Sequence, residues 1–504
     1  MTETKSLYQI TKENLIIYGK KTIEDRAIPS IEDGLKPVQR RIVWASCRLN
    51  LHHKAPLKKS ARVVGDTMGK YHPHGDASIY DALVKLTKTN QPLMDGSHSN
   101  FGDFDSPPAA QRYTETRLTK FSDYVLLDKE YLKVTPMVSN YDGEFVEPYY
   151  LPSLLPIHLI NGIEGIAFGC AVLMIPFDLK DVIDLTIKAF KKPKLKLINE
   201  KLLSRYLRPD SISFPQGGEC ETNMDEFSSI FSTGKVTLKF TPKLKRSQII
   251  QKGKGTRSIL TITSLAPRLK PEKLFQSLAS SDLVVDIVNK SAKEKFHLEV
   301  TLTSNKIEDY QKIIRKITAS ISTQYIYLLR SEILPPSPSL DELQKSINDV
   351  DSDDLILSIP FKEVGLRDSF VDWLRFRFKL EKAYLKRRLI ELQVERAKQL
   401  LLAFLVKNRK LLLKILDSND PRGMAKEILI KAKLFDYDKV MTIDDCAEYI
   451  LNARILTISK ANQDKISEYI KSIECDIAKT EAYLQNPRRA VIEKTQELKE
   501  KLLG

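Results

Sequence analysis

Between Ile466 and Leu484 five aliphatic side chains and one threonine step by four and three: Ile466, Ile470, Ile473, Ile477, Thr480 and Leu484. A strand would scatter these positions over two faces, whereas a helix gathers them into one narrow stripe that needs a second helix to cover it. The spacing therefore predicts a coiled-coil seam. A basic helix around Leu374, Phe378, Leu385, Leu389 and Leu392 is its candidate antiparallel partner. Between them, Asp417 to Arg454 is punctuated by Asn419-Asp-Pro421 and Gly423, which predicts a small helical head at the far end of a long hairpin. A head held out in this way is well placed to meet a copy of itself. Pro335-Pro-Ser-Pro338 marks the junction in front of the helical region.

Before that junction the texture differs. Val236, Leu238 and Phe240 alternate with Lys235, Thr237 and Lys239, and Leu298, Val300 and Leu302 alternate likewise, so half-buried strands are predicted. Intervening helical stretches make residues 146 to 330 an α+β region. Lys252-Gly-Lys-Gly255 between strands reads as a solvated hairpin, since its spacing does not fit a phosphate-cradling loop. From about 30 to 145 short helices are predicted. Leu35, Val38, Ile42, Ala45 and Leu49 form one face, with Pro37 in a first turn. Ala61, Val64 and Met68 form a second that Gly69 would end. Asp76 would N-cap a third, with Ile79, Leu83 and Leu86 inside. Basic outer faces (Arg40, Arg41, Lys58, Lys59, Arg62) suit a helix-turn-helix type of DNA module.

The 504 residues exceed what one core usually organises, so several domains are expected. The formal charge of +15 favours a polyanionic partner, nucleic acid or an anionic membrane surface. The most apolar stretch, Gly165 to Phe177, is too short to span a bilayer and reads as core, and no apolar run follows Met1 as a secretory signal would require. The five cysteines lack metal-ligand spacing and fit reduced cytoplasmic thiols.

Gln111-Arg-Tyr-Thr-Glu-Thr-Arg117 places Tyr113 between two arginines. A phenol, with a pKa of about 10, is a poor nucleophile. Neighbouring guanidinium groups would favour the phenolate and stabilise charge on a phosphoryl group under attack. A tyrosine that merely packs or hydrogen-bonds is the plain alternative. Gly69-Lys-Tyr-His-Pro-His-Gly-Asp76 has the H-x-H-x-D spacing of metallo-hydrolases, but Ala77 stands where a further His is needed. The competing readings are phosphate contacts from His72 and His74 on a DNA-facing surface, and a simple polar turn.

Taken together, Asp25-Arg-Ala-Ile-Pro, Asp33-Gly-Leu-Lys-Pro-Val-Gln-Arg-Arg41, Lys59-Ser-Ala-Arg-Val-Val-Gly-Asp66, Gly69 to Asp76, Asn100-Phe-Gly102 and Ala110-Gln-Arg-Tyr-Thr-Glu-Thr-Arg-Leu118 follow in a fixed order. They are continued by Asn140-Tyr-Asp-Gly143, Leu159-Ile-Asn-Gly162, Gly165-Ile-Ala-Phe-Gly169, Phe214-Pro-Gln-Gly-Gly218 and Ile450 to Leu456. This series resembles the breakage-reunion core of bacterial type IIA DNA topoisomerases, the A subunits of gyrase and topoisomerase IV.

The resemblance implies an α+β multidomain fold. Residues 1–24 would be an arm docking on the B subunit, and 25–145 a winged-helix breakage-reunion domain. Residues 146–334 would be an α/β tower domain, and 335–504 a long antiparallel coiled coil with a helical dimerisation head at about 417–454. Tyr113 would be the nucleophile, leaving a 5′-phosphotyrosine and a free 3′-hydroxyl, and Arg112 would stabilise the transition state. Arg26, Lys36, Arg40, His72 and His74 would grip the cleaved strand and adjacent phosphates. Leu155 would be an apolar wedge between base pairs, with an ordinary core leucine as the other reading. No metal cluster or Walker A loop is present in the sequence, in line with a family in which Mg²⁺ and ATP are bound by the B subunit. The implied assembly is a homodimer of this chain within an A2B2 heterotetramer on double-stranded DNA, in the bacterial cytoplasm and associated with the chromosome.

Three departures bear on mechanism. Gln39 replaces a common His, a change of degree since Gln still donates a hydrogen bond to phosphate. Ala77 replaces the Ser of fluoroquinolone-sensitive members while Asp81 is retained, so reduced drug sensitivity is expected. Gly504 follows the second long helix closely with no DNA-wrapping β-pinwheel. For a complete chain that favours ATP-dependent relaxation and decatenation, as in topoisomerase IV, over gyrase-type supercoiling; a truncated gyrase A core is the alternative. From another class, a non-enzymatic architectural protein with the same DNA-binding and coiled-coil parts remains. The basic run Arg375, Arg377, Lys379, Lys382, Lys386, Arg387 and Arg388 reads either as a contact for transported DNA or as a solvated face.

Overall fold

In the computed structural model, the residues described are 6–22, 26, 28–103, 106–167, 170–251, 255–291, 295–330, 361–432, 441–452 and 463–504. By their contacts they form two compact units, Met1–Arg377 with Lys494–Gly504, and Phe378–Glu493. The Pro335–Pro338 junction, Lys252 to Lys254 of the expected hairpin, and parts of the expected head lie outside the described residues.

The first unit begins with α1 (Leu7–Thr22), whose Leu7, Tyr8, Leu15 and Tyr18 are exposed. Three helices then pack on one another: α2 (Pro37–Arg48), α3 (Ser60–Lys70) and α4 (Asp76–Leu86). α2 starts at Pro37 because its missing N–H is one that a first turn leaves unsatisfied anyway. Gln39 Oε1 accepts the Lys36 N–H at 3.0 Å and closes that end. α3 departs from expectation. It runs through Gly69 to Lys70, and its inner face is Ser60, Val63, Val64 and Thr67, with Met68 exposed. Of its buried polar members, Thr67 is satisfied within the helix, its Oγ1 donating to the Val63 carbonyl at 2.7 Å, and Ser60 by the distant Thr114 at 2.8 Å. α4 buries Ile79, Leu83 and Leu86 as expected, but its N-cap is Gly75 and Asp76 is the first helical residue. The short strands β1 (Lys58–Lys59) and β2 (Glu115–Thr116) pair antiparallel and bring the Tyr113 segment to the start of α3.

Further along the first unit, a four-stranded antiparallel sheet has the order Val284–Asn289, Leu298–Leu302, Gly255–Ile262, Leu244–Gln251. Leu298, Val300 and Leu302 point inward, as their alternation predicts, onto Leu274 and Leu278 of one helix and Ile313 and Ile317 of another. A three-stranded sheet carries Thr237–Thr241 between Ala319–Ser322 and Glu219–Cys220, with Leu238 and Phe240 buried. The mixed α and β content of this region is as expected.

In the second unit, the residues from Phe378 of the helix Leu366–Lys407 run against the helix Gln463–Gln485. Arg396 pairs with Glu474 at 3.0 Å, and Leu401, Leu402 and Leu405 cluster with Ile466. Rising numbers on one helix meet falling numbers on the other, so the two are antiparallel. Ile466, Ile473 and Thr480 are buried, which is the predicted seam. Ala425 and Leu429 of the helix Pro421–Lys431 and Cys446, Ala447 and Ile450 of Ile443–Leu451 join the same core. No helix among the described residues is long and apolar enough to cross a membrane.

Candidate functional site

The Tyr113 segment is fastened on both sides. Ser60 N–H donates to the Thr114 carbonyl at 2.9 Å and Ala61 N–H to the Gln111 carbonyl at 3.1 Å, so the first turn of α3 directs its free donors to this segment. Gln111 Nε2 donates to Asp76 Oδ2 at 2.6 Å, which ties the segment to the first residue of α4. On this frame Tyr113 is 64% exposed, and the Arg112 guanidinium carbon lies 4.8 Å from its ring centroid. Such a cation over an aromatic face is held by the ring quadrupole, and its planar fork remains suited to phosphate oxygens. The second flanking arginine is turned away. Arg117 bonds Asp95 at 3.1 Å and the Ala55 carbonyl at 2.8 Å.

The other expected site residues divide sharply. Arg26, His74, Ala77 and Asp81 are exposed. Lys36 is half-buried; burial and then Lys85 lower its pKa, against Glu164. Gln39 is half-buried with its carbonyl committed to the start of α2. Arg40 is not available to grip DNA. It is 4% exposed, and its guanidinium bonds Asp33 (2.6 and 3.0 Å), Ser30 (2.6 Å) and the Leu35 carbonyl (3.0 Å). Asp33 in turn accepts from the backbone of Leu35 and Leu151, so this pair is a frame joint. Burial, the largest single influence, would raise the Asp33 pKa, but the charge and hydrogen bonds of Arg40 together with the bonds from Leu151 and Ser30 outweigh it and hold the carboxyl below the ordinary value.

His72 is also buried, stacked on His74 with centroids 4.2 Å apart, and its Nδ1 lies 3.0 Å from Arg41 Nη1. Burial, then Arg41, His74 and Arg26, push its pKa down to about 3, so the ring is neutral and accepts from Arg41. Leu155 is 0% exposed, in the core beside the equally buried Leu154, with its carbonyl accepting from the Ser153 hydroxyl. This is the core-leucine reading; inserting Leu155 between base pairs would require the segment to rearrange.

Sequence reasoning gives Arg41 no role beyond its place on a basic face. In the fold it forks onto Glu147 at 2.7 and 2.8 Å while touching His72, and so links α2 to the strand Val146–Pro148. Helix arithmetic offers the signal: Arg40 stands three after Pro37 and four before Trp44, both buried, whereas Arg41 is one step round the helix. In the basic run of the long helix, Arg377 is fully buried with its guanidinium 5.0 Å from the Tyr131 ring centroid, and Arg375 pairs with Asp372 at 2.5 Å. Lys382, Lys386 and Arg387 are exposed. Among the described residues no three or more His, Cys, Asp or Glu converge as a metal-binding group; His72 is occupied by Arg41 and His74.

The family model for the A subunits of DNA gyrase and topoisomerase IV matches residues 26–350. The DNA gyrase A subunit of Thermotoga maritima is 39% identical over 271 residues, 53% of this chain and 32% of the relative. The DNA gyrase A subunit of Aminobacterium colombiense is 30% identical over 498 residues, 96% of this chain and 55% of the relative. The DNA topoisomerase 4 A subunit of Escherichia coli is 33% identical over 346 residues, 66% of this chain and 44% of the relative. The chain thus spans between about a third and about half of the length of these relatives. On the extent of these matches, the chain belongs to the family of DNA gyrase and topoisomerase IV A subunits.

Proposed function

We propose that this chain supplies the cleavage-and-rejoining centre of a type IIA DNA topoisomerase, with Tyr113 as nucleophile. The observation that carries the proposal is an exposed phenol with a guanidinium over its ring, on a segment fastened to two helices. The phenol oxygen forms a bond to a scissile phosphorus and the bond to the 3′-oxygen breaks. The phenolic proton leaves to solvent, and the departing 3′-oxygen takes one up to become a hydroxyl. The product is a 5′-phosphotyrosine, whose phosphoester bond lets the 3′-hydroxyl reverse the reaction without ATP. Arg112 meets the charge that builds on the phosphoryl oxygens. Arg26, Lys36 and His74 would contact flanking phosphates, while the buried Arg40, His72 and Leu155 would support that surface from within.

Two copies of the chain, one per strand, would act in an A2B2 assembly on double-stranded DNA at the bacterial chromosome. The B-type partner, docked on residues 1–24, would bind Mg²⁺ and ATP. We assign the topoisomerase IV outcome, ATP-driven relaxation and decatenation. Gyrase-type negative supercoiling is the second reading, favoured by the gyrase relative matched over 96% of the chain. The test mixes the chain with its B-type partner, Mg²⁺ and supercoiled plasmid, and stops the reaction with detergent. Linear DNA bound covalently to protein is expected, and its persistence in Tyr113→Phe would refute the nucleophile. Adding ATP separates the outcomes, because negatively supercoiled product from relaxed plasmid would select the gyrase reading.

A further inference from the structure

Beneath the exposed Tyr113 lie three buried hydroxyls in contact. Tyr80 Oη is 2.6 Å from the Ala109 carbonyl oxygen and 3.0 Å from Thr114 Oγ1, and Thr114 Oγ1 is 2.8 Å from Ser60 Oγ. Ser60 and Thr114 are fully buried and Tyr80 nearly so. The three come from different places: Ser60 opens α3, Tyr80 lies in the middle of α4, and Thr114 follows the proposed nucleophile directly. A carbonyl only accepts, so Tyr80 donates to Ala109, and Thr114 donates to Ser60; the Tyr80–Thr114 contact shares one of these protons.

We propose that Tyr80, Thr114 and Ser60 are a positioning relay that sets where the Tyr113 phenol stands relative to α3 and α4. The argument rests on reading Tyr113 as the nucleophile. Backbone bonds already join Ser60 and Ala61 to this segment, and Gln111 already reaches Asp76. What the relay adds is a grip on both flanks. One tyrosine oxygen holds Ala109, four residues before the phenol, and Thr114, one residue after it. The intervening backbone therefore cannot slide along α4 without breaking a buried hydrogen bond, and a buried polar group left without a partner is costly. A displacement of α3 or α4 is passed to the phenol through the same bonds. None of the three hydroxyls faces substrate, so these are positioning residues.

The test uses the complete enzyme with its B-type partner, at a temperature where circular dichroism shows every variant folded. Rates of covalent-complex formation and of resealing are measured together with duplex affinity. Tyr80→Phe and Thr114→Val are each expected to slow both directions by about 10- to 100-fold, the range that loss of reactive geometry produces. The covalent fraction at equilibrium and the duplex affinity should stay within about twofold of native, because a misplaced phenol alters the barrier and not the end states. Thr114→Ser keeps the hydroxyl and should stay within about threefold of native. The double variant should be no slower than the slower single one, because the groups act as one chain.

Native rates in folded Tyr80→Phe and Thr114→Val would overturn the relay, as would slowing matched by lost affinity. Additive effects, or no rescue in Thr114→Ser, would overturn it too. Tyr113→Phe run in parallel separates the two levels. Adducts that persist there defeat the nucleophile and the relay with it, whereas adducts lost there beside native rates in Tyr80→Phe defeat the relay alone.

Discussion

Arg112 and Arg40 stand in neighbouring parts of the same unit, and both belong to motifs whose resemblance assigns them to DNA. Arg112 lies open over the Tyr113 ring. Arg40 is enclosed, with its fork divided among a carboxylate, a hydroxyl and a carbonyl. The difference shows that a motif arginine can serve in two ways, by meeting a phosphate or by fixing the backbone that lets another residue meet one. Their substitution phenotypes should therefore cross. Arg112→Ala should lower plasmid cleavage by about 10²- to 10³-fold, the scale of losing one transition-state donor, with thermal unfolding unchanged. Arg40→Ala leaves Asp33 buried without its cation, which should cost about 3–5 kcal/mol in denaturant unfolding. If Arg40→Ala unfolds like the native chain but fails to cleave, the contrast collapses.

Leu155 extends the buried side of the comparison. Leu155→Ala should cost about 2–5 kcal/mol of unfolding free energy, the range for a filled core site. Native stability together with lost DNA bending, read by fluorescence transfer between labelled duplex ends, would return Leu155 to the role of a wedge.

The buried neutral His72 gives a smaller, pH-dependent effect. Its pKa falls from 6.5 to about 3 on folding, so the unfolded chain binds the extra proton between those values and stability must drop as pH falls through that window. Above the unfolded value this contribution is complete. The slope is at most about 1.4 kcal/mol per pH unit, and His72→Gln should flatten it in denaturant titrations at pH 6.5, 5.5 and 4.5. An unaltered slope would mean that other groups carry it. The smallest expected effect lies on the exposed side. Ala77→Ser restores one hydroxyl near Asp81 and should raise fluoroquinolone-trapped cleavage about fivefold, the scale of one hydrogen bond; equal trapping removes Ala77 from the drug-site reading.

The parts legible in the sequence are those where one hydropathy period dominates. The Ile466–Leu484 stripe, the alternating Leu298–Leu302 strand and the Pro37 start of α2 all read directly. α3 did not, because Gly65 and Gly69 carry no hydropathy signal and two of its inward positions are Ser60 and Thr67, polar groups satisfied by partners that periodicity does not reveal. At the site, the exposed Tyr113–Arg112 pair followed from adjacency, while the fate of Arg40 depended on Asp33, seven positions away in a turn. Charge predicts exposure until a fork of acceptors is assembled around it, and that assembly is tertiary.

The second unit is an excursion: the chain leaves the first unit at Arg377 and re-enters it at Lys494. On return, Lys494 pairs with Asp128 at 3.2 Å, Lys499 pairs with Asp184, and the Lys501 ammonium lies 5.4 Å from the Tyr124 ring centroid. A protease nick anywhere in the excursion would therefore leave each piece still sewn to the same body, one by chain and the other by these contacts. Such a nicked chain is expected to elute as one body in size-exclusion chromatography, and its separation into two pieces would show that these contacts do not hold.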